Sequence, residues 1–389
     1  MRTDEVYDGL SWFSSEQVSQ ANIMVVGCGA LGNEVLKNLA LFGIEHFVVV
    51  DFDHVEPSNL SRSILFSQKD ARQGRRKTEA VAASIRNIRP SADIQTIFGD
   101  VSYDVGLGWF RHVDVVIGCV DNRWARYQIN RHCMRTGTPW VDGGIDRLEG
   151  TVRVFRPGEN CYACNLGPEG LKDLAWRMPC SGIVRRNEAA GRAATTPVIA
   201  SVIGAVEVQE ALKIIHTVNS SSQSSGTDGT SDFTSLCGRV FYYEGQHLTT
   251  KTARFKAYDD DCPVHDLWQP VLTSDITTDW TVNAALGHVG KLLGEPHPQI
   301  SLKDCFVDTV SSRTDDRQVS VMKPGRAVAD YLEQHTQLKG CLLSSLYQHE
   351  YTVLDDRFPY QELTLAEVGI PSWDILQVNE RYVEMRKEH

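Results

Sequence analysis

The chain has 389 residues, 39 of them Lys or Arg and 50 Asp or Glu, for a formal charge of −11 with 42% hydrophobic content. That length and apolar content suit two or three domains with cores of their own, and the acidic balance speaks against a coat for nucleic acid or for an anionic membrane. The N-terminus lacks a secretory pattern, and the most apolar stretch, 197–206, meets Glu207 and Glu210 well short of the roughly 20 residues a membrane span requires, so a cytoplasmic chain is expected.

In chain order, residues 23–26 form an apolar run, followed by Gly27-Cys28-Gly29-Ala30-Leu31-Gly32 and a helical pattern through Leu41. A second run, 47–50, leads into Asp51; a helix is predicted over 76–88, a buried strand over 113–119 and a helix over 123–134. Such alternation predicts a parallel sheet with helices on its faces. Small and branched residues at helical spacing predict a long buried helix over 196–215. In 219–235, 12 of 17 residues are Ser, Thr or Gly, the composition of a flexible loop. Strand text resumes at 238–244 and 253–258. Beyond 267 there is no repeat and no chemistry motif; residues 271–389 hold 18 acidic and 11 basic residues and read as a separate acidic module.

Three segments carry chemistry. Gly27, Gly29 and Gly32 between a strand and a helix let the backbone approach phosphates at a helix N-terminus, and Asp51 closes the next strand where an acid can bind ribose hydroxyls. Residues 62–77 then carry Arg62, Lys69, Arg72, Arg75, Arg76 and Lys77 against the single acid Asp70, a charge suited to a polyphosphate. Most such charges are solvated surface, which is the reading of Arg72, Arg75 and Arg76.

Of ten cysteines, Cys161 and Cys164 form one half of a metal knuckle, and Cys262-Pro263-Val264-His265 offers the other half of a four-ligand zinc site. The alternative is a pair of packed thiols. Cys180 lies among Arg177, Arg185, Arg186 and Arg192, cations that favour the nucleophilic thiolate. Cys119, in an apolar run, has the opposite bias, and Cys237, Cys305 and Cys341 have no supporting context.

The spaced set Gly27/Gly29/Gly32, Asp51, Asn59, Arg62, Lys77 and Asp121 resembles the ubiquitin-activating, ThiF-type adenylyltransferase superfamily. That family's pattern is a glycine loop, then Asp-x-Asp-x-Val-x-x-Ser-Asn-Leu-x-Arg-Gln, then Gly-x-x-Lys, then a strand ending in Asp; Ser63 stands here in place of the Gln. The resemblance implies an α/β fold: a Rossmann-like adenylation domain with a mixed sheet and a zinc knuckle over 1–268, and a small α+β module over 269–389. It implies ATP, Mg²⁺ and zinc as cofactors, with Asp51 on the ribose, Asn59, Arg62 and Lys77 on phosphates and Asp121 on Mg²⁺.

Pro179-Cys180-Ser181-Gly182-Ile183 resembles the thioester segment of activating enzymes, placing the catalytic cysteine in about 165–195. The implied function is adenylation of the C-terminal glycine of a ubiquitin-like protein, thioester formation on Cys180 and transfer to a conjugating enzyme. The nearest likeness is to bacterial activating enzymes of ubiquitin-like conjugation, some of them antiviral. A homodimer is implied as well, although no arginine follows Tyr7 where relatives supply one in trans. Residues 362–376 resemble the closing segment of a β-grasp domain, implying a partner-docking role for the module. Competing readings are a sulfur-carrier adenylyltransferase, a tRNA-modifying relative, a pseudoenzyme scaffold, and an NAD-dependent oxidoreductase. The last leaves Asn59, Arg62, Lys77 and Asp121 unexplained.

Overall fold

The computed structural model describes residues 7, 9–175, 195–220, 234–314, 316–334 and 346–388. These divide into two compact units. The first lies within Met1–Ser102, Phe110–Gly167 and Arg192–Leu267; the second lies within Tyr103–Trp109, Pro168–Gly191 and Trp268–His389.

The first unit is built on an eight-stranded mixed sheet. β1 (Asn22–Val26), β2 (His46–Asp51), β3 (Asp93–Phe98), β4 (Val115–Gly118) and β5 (Trp140–Asp146) are followed by β6 (Glu149–Phe155), β7 (Arg239–Glu244) and β8 (Thr249–Arg254). Their order is β3-β2-β1-β4-β5-β6-β7-β8. The first five pair in parallel and the last three are added antiparallel. β1, β2 and β4 are buried on both faces, which is why their sequences are continuous apolar runs.

The helix Pro197–Ser220 opens on proline, the residue whose missing N–H costs nothing in a first turn. It lies close to the helix Ala30–Phe42: a Cβ added at Gly204 would sit 3.0 Å from Glu34 Cβ. Ile199, Ile203, Leu212 and Ile215 join Val35, Leu36 and Leu39 in one core. The strand expected over 253–258 begins and ends earlier, as β8. The tight return at Gly245–Leu248, with Leu248 left-handed, starts the pairing at Thr249, and the carbonyls of Lys256 and Ala257 instead accept from Asn160.

The second unit carries a six-stranded sheet. Its strands are β9 (Val271–Thr273), β10 (Ile300–Ser312), β11 (Gln318–Pro324), β12 (Leu346–Leu354), β13 (Ile375–Val378) and β14 (Arg381–Glu384). The order is β11-β10-β13-β14-β9, with β12 also on β10. The helix Val282–Leu293 buries Val282, Ala285 and Val289 against Phe306, Leu365 and Val383.

Residues 103–109 are threaded into this second unit. Leu107 is fully buried with Trp268 and Ile375, and its N–H donates to Asp374 Oδ1 at 2.8 Å. Gly108 N–H donates to the Trp373 carbonyl at 2.9 Å. Arg326 joins Asp104 and Asp304 at 3.0 Å each. The Trp109 and Trp373 rings meet edge-on at 4.9 Å, with Lys387 Nζ over both.

Candidate functional site

The register of the first sheet brings the carboxyl ends of β1, β2 and β4 level. Gly27 N–H donates to the Val50 carbonyl and Cys119 N–H to the Val26 carbonyl, each at 2.8 Å. The loop needs its glycines for two different reasons. Gly27 has a φ of +97°, and a Cβ there would meet the Cys119 carbonyl oxygen at 2.5 Å. A Cβ at Gly32 would meet the Gly27 carbonyl oxygen at 1.9 Å. Gly29, by contrast, faces open space and caps the helix Ala30–Phe42 without any side-chain hydrogen bond. An open, uncapped helix N-terminus suits an anion: free amides and the helix dipole both point at it.

Asp51 is bound into the turn. Its Oδ2 accepts from Cys28 N–H at 2.6 Å and its Oδ1 from Asp53 N–H at 2.8 Å. Burial lifts this carboxyl above its ordinary value against the pull of Lys77. Lys77 is itself buried, and its Nζ pairs with Asp53 Oδ2 at 2.7 Å. Burial alone would lower the lysine, but Asp51 and Asp53 outweigh it and raise it. Backbone bonds from Val55 N–H to Arg75 O and from Lys77 N–H to Asp53 O fix this geometry.

Asn59 and Arg62 sit on the 3₁₀ helix Pro57–Ser61 and at its C-cap. Asn59 is buried, and its Oδ1 accepts from Glu56 N–H at 2.9 Å, so its first observed role is to shape that turn. Arg62 is half-buried and donates to the Ser58 carbonyl at 3.3 Å. Asp121 is exposed, three residues beyond β4, beside Asn122, which caps the helix Arg123–Thr136.

Four groups hold this end together and are missed by the sequence reading: the buried Asn33, Asp142 and Glu207, and the half-buried Arg126. Asn33, fully buried, donates to the Cys28 and Gly29 carbonyls at 2.7 and 3.0 Å and accepts from Leu65 N–H at 2.8 Å. It thereby ties the glycine loop to the stretch after Arg62. Arg126 donates to the Val120 carbonyl, next to Asp121, at 2.6 Å, and to Asp142 Oδ1 at 3.0 Å. Asp142 also accepts from Arg153 at 3.1 Å. Glu207 lies fully buried under Gly143, its Oε1 without a partner. Burial and the nearby Asp142 push its carboxyl well above the ordinary value. A lone polar residue inside an apolar stripe was the available signal for Asn33 and Glu207.

The knuckle residues converge. Cys161, Cys164, Cys262 and His265 bring their ligand atoms within 4.8 Å of one another. The Sγ atoms of Cys161 and Cys164 are 3.6 Å apart, those of Cys161 and Cys262 3.7 Å, and Cys164 Sγ is 3.3 Å from His265 Nε2. Tetrahedral zinc with Zn–S bonds of about 2.3 Å calls for S···S edges of about 3.8 Å. The donor set and spacing therefore fit zinc. Tyr258 stacks on the His265 ring at 4.4 Å.

Cys180, with Arg177, Arg185, Arg186 and Arg192, lies outside the described residues, as do the glycine- and serine-rich residues 221–233. Among the described cysteines, burial raises Cys28 and Cys119 well above the ordinary thiol range. Cys237 donates to Glu159 Oε2 at 2.9 Å and is pushed up to about 12 by burial and that carboxylate. All three favour the unreactive thiol. No helix among the described residues is long and apolar enough to cross a membrane.

The parallel strands of the mixed sheet thus carry at their ends an open glycine loop beside an acid and a lysine. The chain belongs to the ThiF family, whose profile matches residues 10–264, and with it to the E1-like adenylyltransferases. The chain is 29% identical over 248 residues to the SAMP-activating enzyme E1 of Haloferax volcanii, covering 63% of this chain and 80% of that one. It is 31% identical over 165 residues to SUMO-activating enzyme subunit 2 of Dictyostelium discoideum, covering 42% of this chain but 25% of the relative. Adenylyltransferase and sulfurtransferase MOCS3 of Sus scrofa matches at 30% over 199 residues, 51% of this chain and 41% of its own. Among solved structures, Escherichia coli MccB is similar in fold, with a TM-score of 0.51 and 18% identity over 66% of this chain and 69% of that chain.

Proposed function

We propose that the chain uses ATP and Mg²⁺ to adenylate the C-terminal carboxylate of a ubiquitin-like protein, then carries that protein as a thioester on Cys180 for transfer to a conjugating enzyme. The observation that supports this best is the convergence of Gly29, Asp51, Lys77 and Asp121 on one end of the sheet. A C-terminal carboxylate is already ionised at neutral pH, so its oxygen attacks the α-phosphorus without a general base, and pyrophosphate leaves with the bonding electrons. Catalysis then rests on positioning two anions and on neutralising charge. The open amides at Gly29, Lys77 and Arg62 supply positive groups, Asp51 anchors the ribose, and Asp121 holds Mg²⁺. Cys180 next attacks the acyl adenylate, forming the thioester and releasing AMP.

The Cys₃His knuckle binds zinc as a structural staple tying residues 161–164 to 262–265. The second unit docks the conjugating enzyme. A second reading stops at the acyl adenylate and passes it to sulfur; the likeness to MOCS3, named as both adenylyltransferase and sulfurtransferase, favours it.

The test is incubation with ATP, Mg²⁺ and candidate ubiquitin-like proteins. Pyrophosphate exchange that depends on such a partner supports adenylation, and its absence with every partner refutes it. A thiol-sensitive adduct lost in Cys180→Ala supports the thioester. Exchange without any adduct favours the sulfur-carrier reading.

A further inference from the structure

Asn130 lies on the helix Arg123–Thr136 and is completely buried. Its Oδ1 accepts from the Tyr162 backbone N–H at 3.0 Å, which fixes the amide plane against the first turn after Cys161. The opposite end of the same amide, Nδ2, is buried without a hydrogen-bond partner. A buried NH₂ group left unpaired costs roughly 1–3 kcal/mol, so such a group marks a place where an acceptor is wanted. The ligand immediately before the Tyr162 amide that Asn130 holds is Cys161, which is itself fully buried. A neutral thiol is a weak acceptor, whereas a thiolate holding a metal carries negative charge and accepts an amide N–H well.

We propose that Asn130 is the outer-sphere donor of the metal centre, its Nδ2–H directed to the Cys161 thiolate once the ion is bound. This rests on the reading of the Cys₃His cluster as a zinc site. The same amide braces two elements at once: its oxygen holds the start of the helix Tyr162–Ala175, and its nitrogen holds the first ligand of the knuckle. Three thiolates and one neutral imidazole around Zn²⁺ leave a net charge of −1. A donor aimed at one sulfur disperses that charge within a buried site. Groups behind the ligands set metal affinity by about 10–100-fold in comparable centres. Asn130 is a positioning residue: it acts on the metal through Cys161.

The test compares zinc affinity by chelator competition in the full chain and in Asn130→Asp, which keeps volume and the acceptor for Tyr162 N–H but removes the NH₂ donor. The expected result is about 10–100-fold weaker zinc binding, with a shifted thiolate-to-metal charge-transfer band after Co²⁺ substitution. Unchanged affinity and an unchanged Co²⁺ spectrum would overturn the proposal while leaving the zinc site standing. If the unsubstituted chain itself binds no zinc, the metal reading fails, and this proposal with it. Should Asn130→Asp not fold, the unsubstituted protein loaded with NMR-active cadmium gives the answer. An Asn130 side-chain proton coupled to the metal supports the bond, and amide protons with no such coupling refute it.

Discussion

Lys77 Nζ and Asp53 Oδ2 stand 2.7 Å apart at the carboxyl end of β2, a charged pair held beside the glycine loop. The pair keeps a buried ammonium protonated and aimed, and in the proposed reaction a phosphate takes the place of Asp53. Replacing Lys77 with Met should lower ATP–pyrophosphate exchange by about 10²–10³-fold, the usual cost of losing one charge-stabilising donor. Asp53→Asn should cost under about tenfold, since it removes only the resting partner. Because its two acids raise Lys77 above its ordinary value, its deprotonation should add no basic limb to the exchange profile below about pH 10.

Asp142 is fully buried between Arg126 and Arg153. Removing the carboxylate strands the more buried guanidinium, Arg126, which also fixes the Val120 carbonyl. Asp142→Ala should lose about 3–5 kcal/mol in urea denaturation. An unfolding free energy within about 0.5 kcal/mol of the unsubstituted chain's would show that the network is not structural.

Glu207 predicts a dependence on pH. Its carboxyl is raised in the folded chain by burial and by Asp142, so the folded state keeps a proton that the unfolded state releases above about pH 4.3. Stability from this group is complete below that pH and falls as pH rises toward the folded value. Glu207→Gln should therefore be close to neutral at pH 4 and relatively more stable at pH 8. Parallel melting curves for the two proteins across that range would refute the assignment.

Gly106 and Gly108 are required by the backbone of residues 372–373. A Cβ at Gly106 would lie 2.2 Å from the Ser372 carbonyl oxygen, and one at Gly108 would lie 2.5 Å from that of Trp373. Gly106→Ala should destabilise the protein by about 1–3 kcal/mol through overpacking, read as a lower melting temperature. Gly74→Ala, at a left-handed position with open space around it, is the contrast: it meets strain but no clash.

What was legible in the sequence follows from how each residue is used. β1, β2 and β4 are buried on both faces, so their apolar runs announced them. β3 was not found, because it is an edge strand whose Asp93, Gln95 and Thr96 face outward and break the run. The Cys/His cluster was readable since its four residues come as two tight pairs, and only the distance between pairs needed the fold. Asn33, Arg126 and Asn130 were not, because each acts through the helix face it occupies and the loop that face meets. Residues 103–109 gave no signal at all. Their glycines answer to Ser372 and Trp373, which no local pattern connects to them.

The bond from Leu107 N–H to Asp374 spans 267 positions of the chain. Synthesis therefore delivers residues 103–109 long before the backbone that receives them exists. During that interval Leu107 has no core to enter and its amide no buried acceptor, while the strands on either side of the segment can already pair. Contacts of such sequence separation are slow to form and leave apolar surface exposed meanwhile. This seven-residue thread should therefore pack late, and a chain stopped short of Asp374 should expose Leu107 to proteases and chaperones.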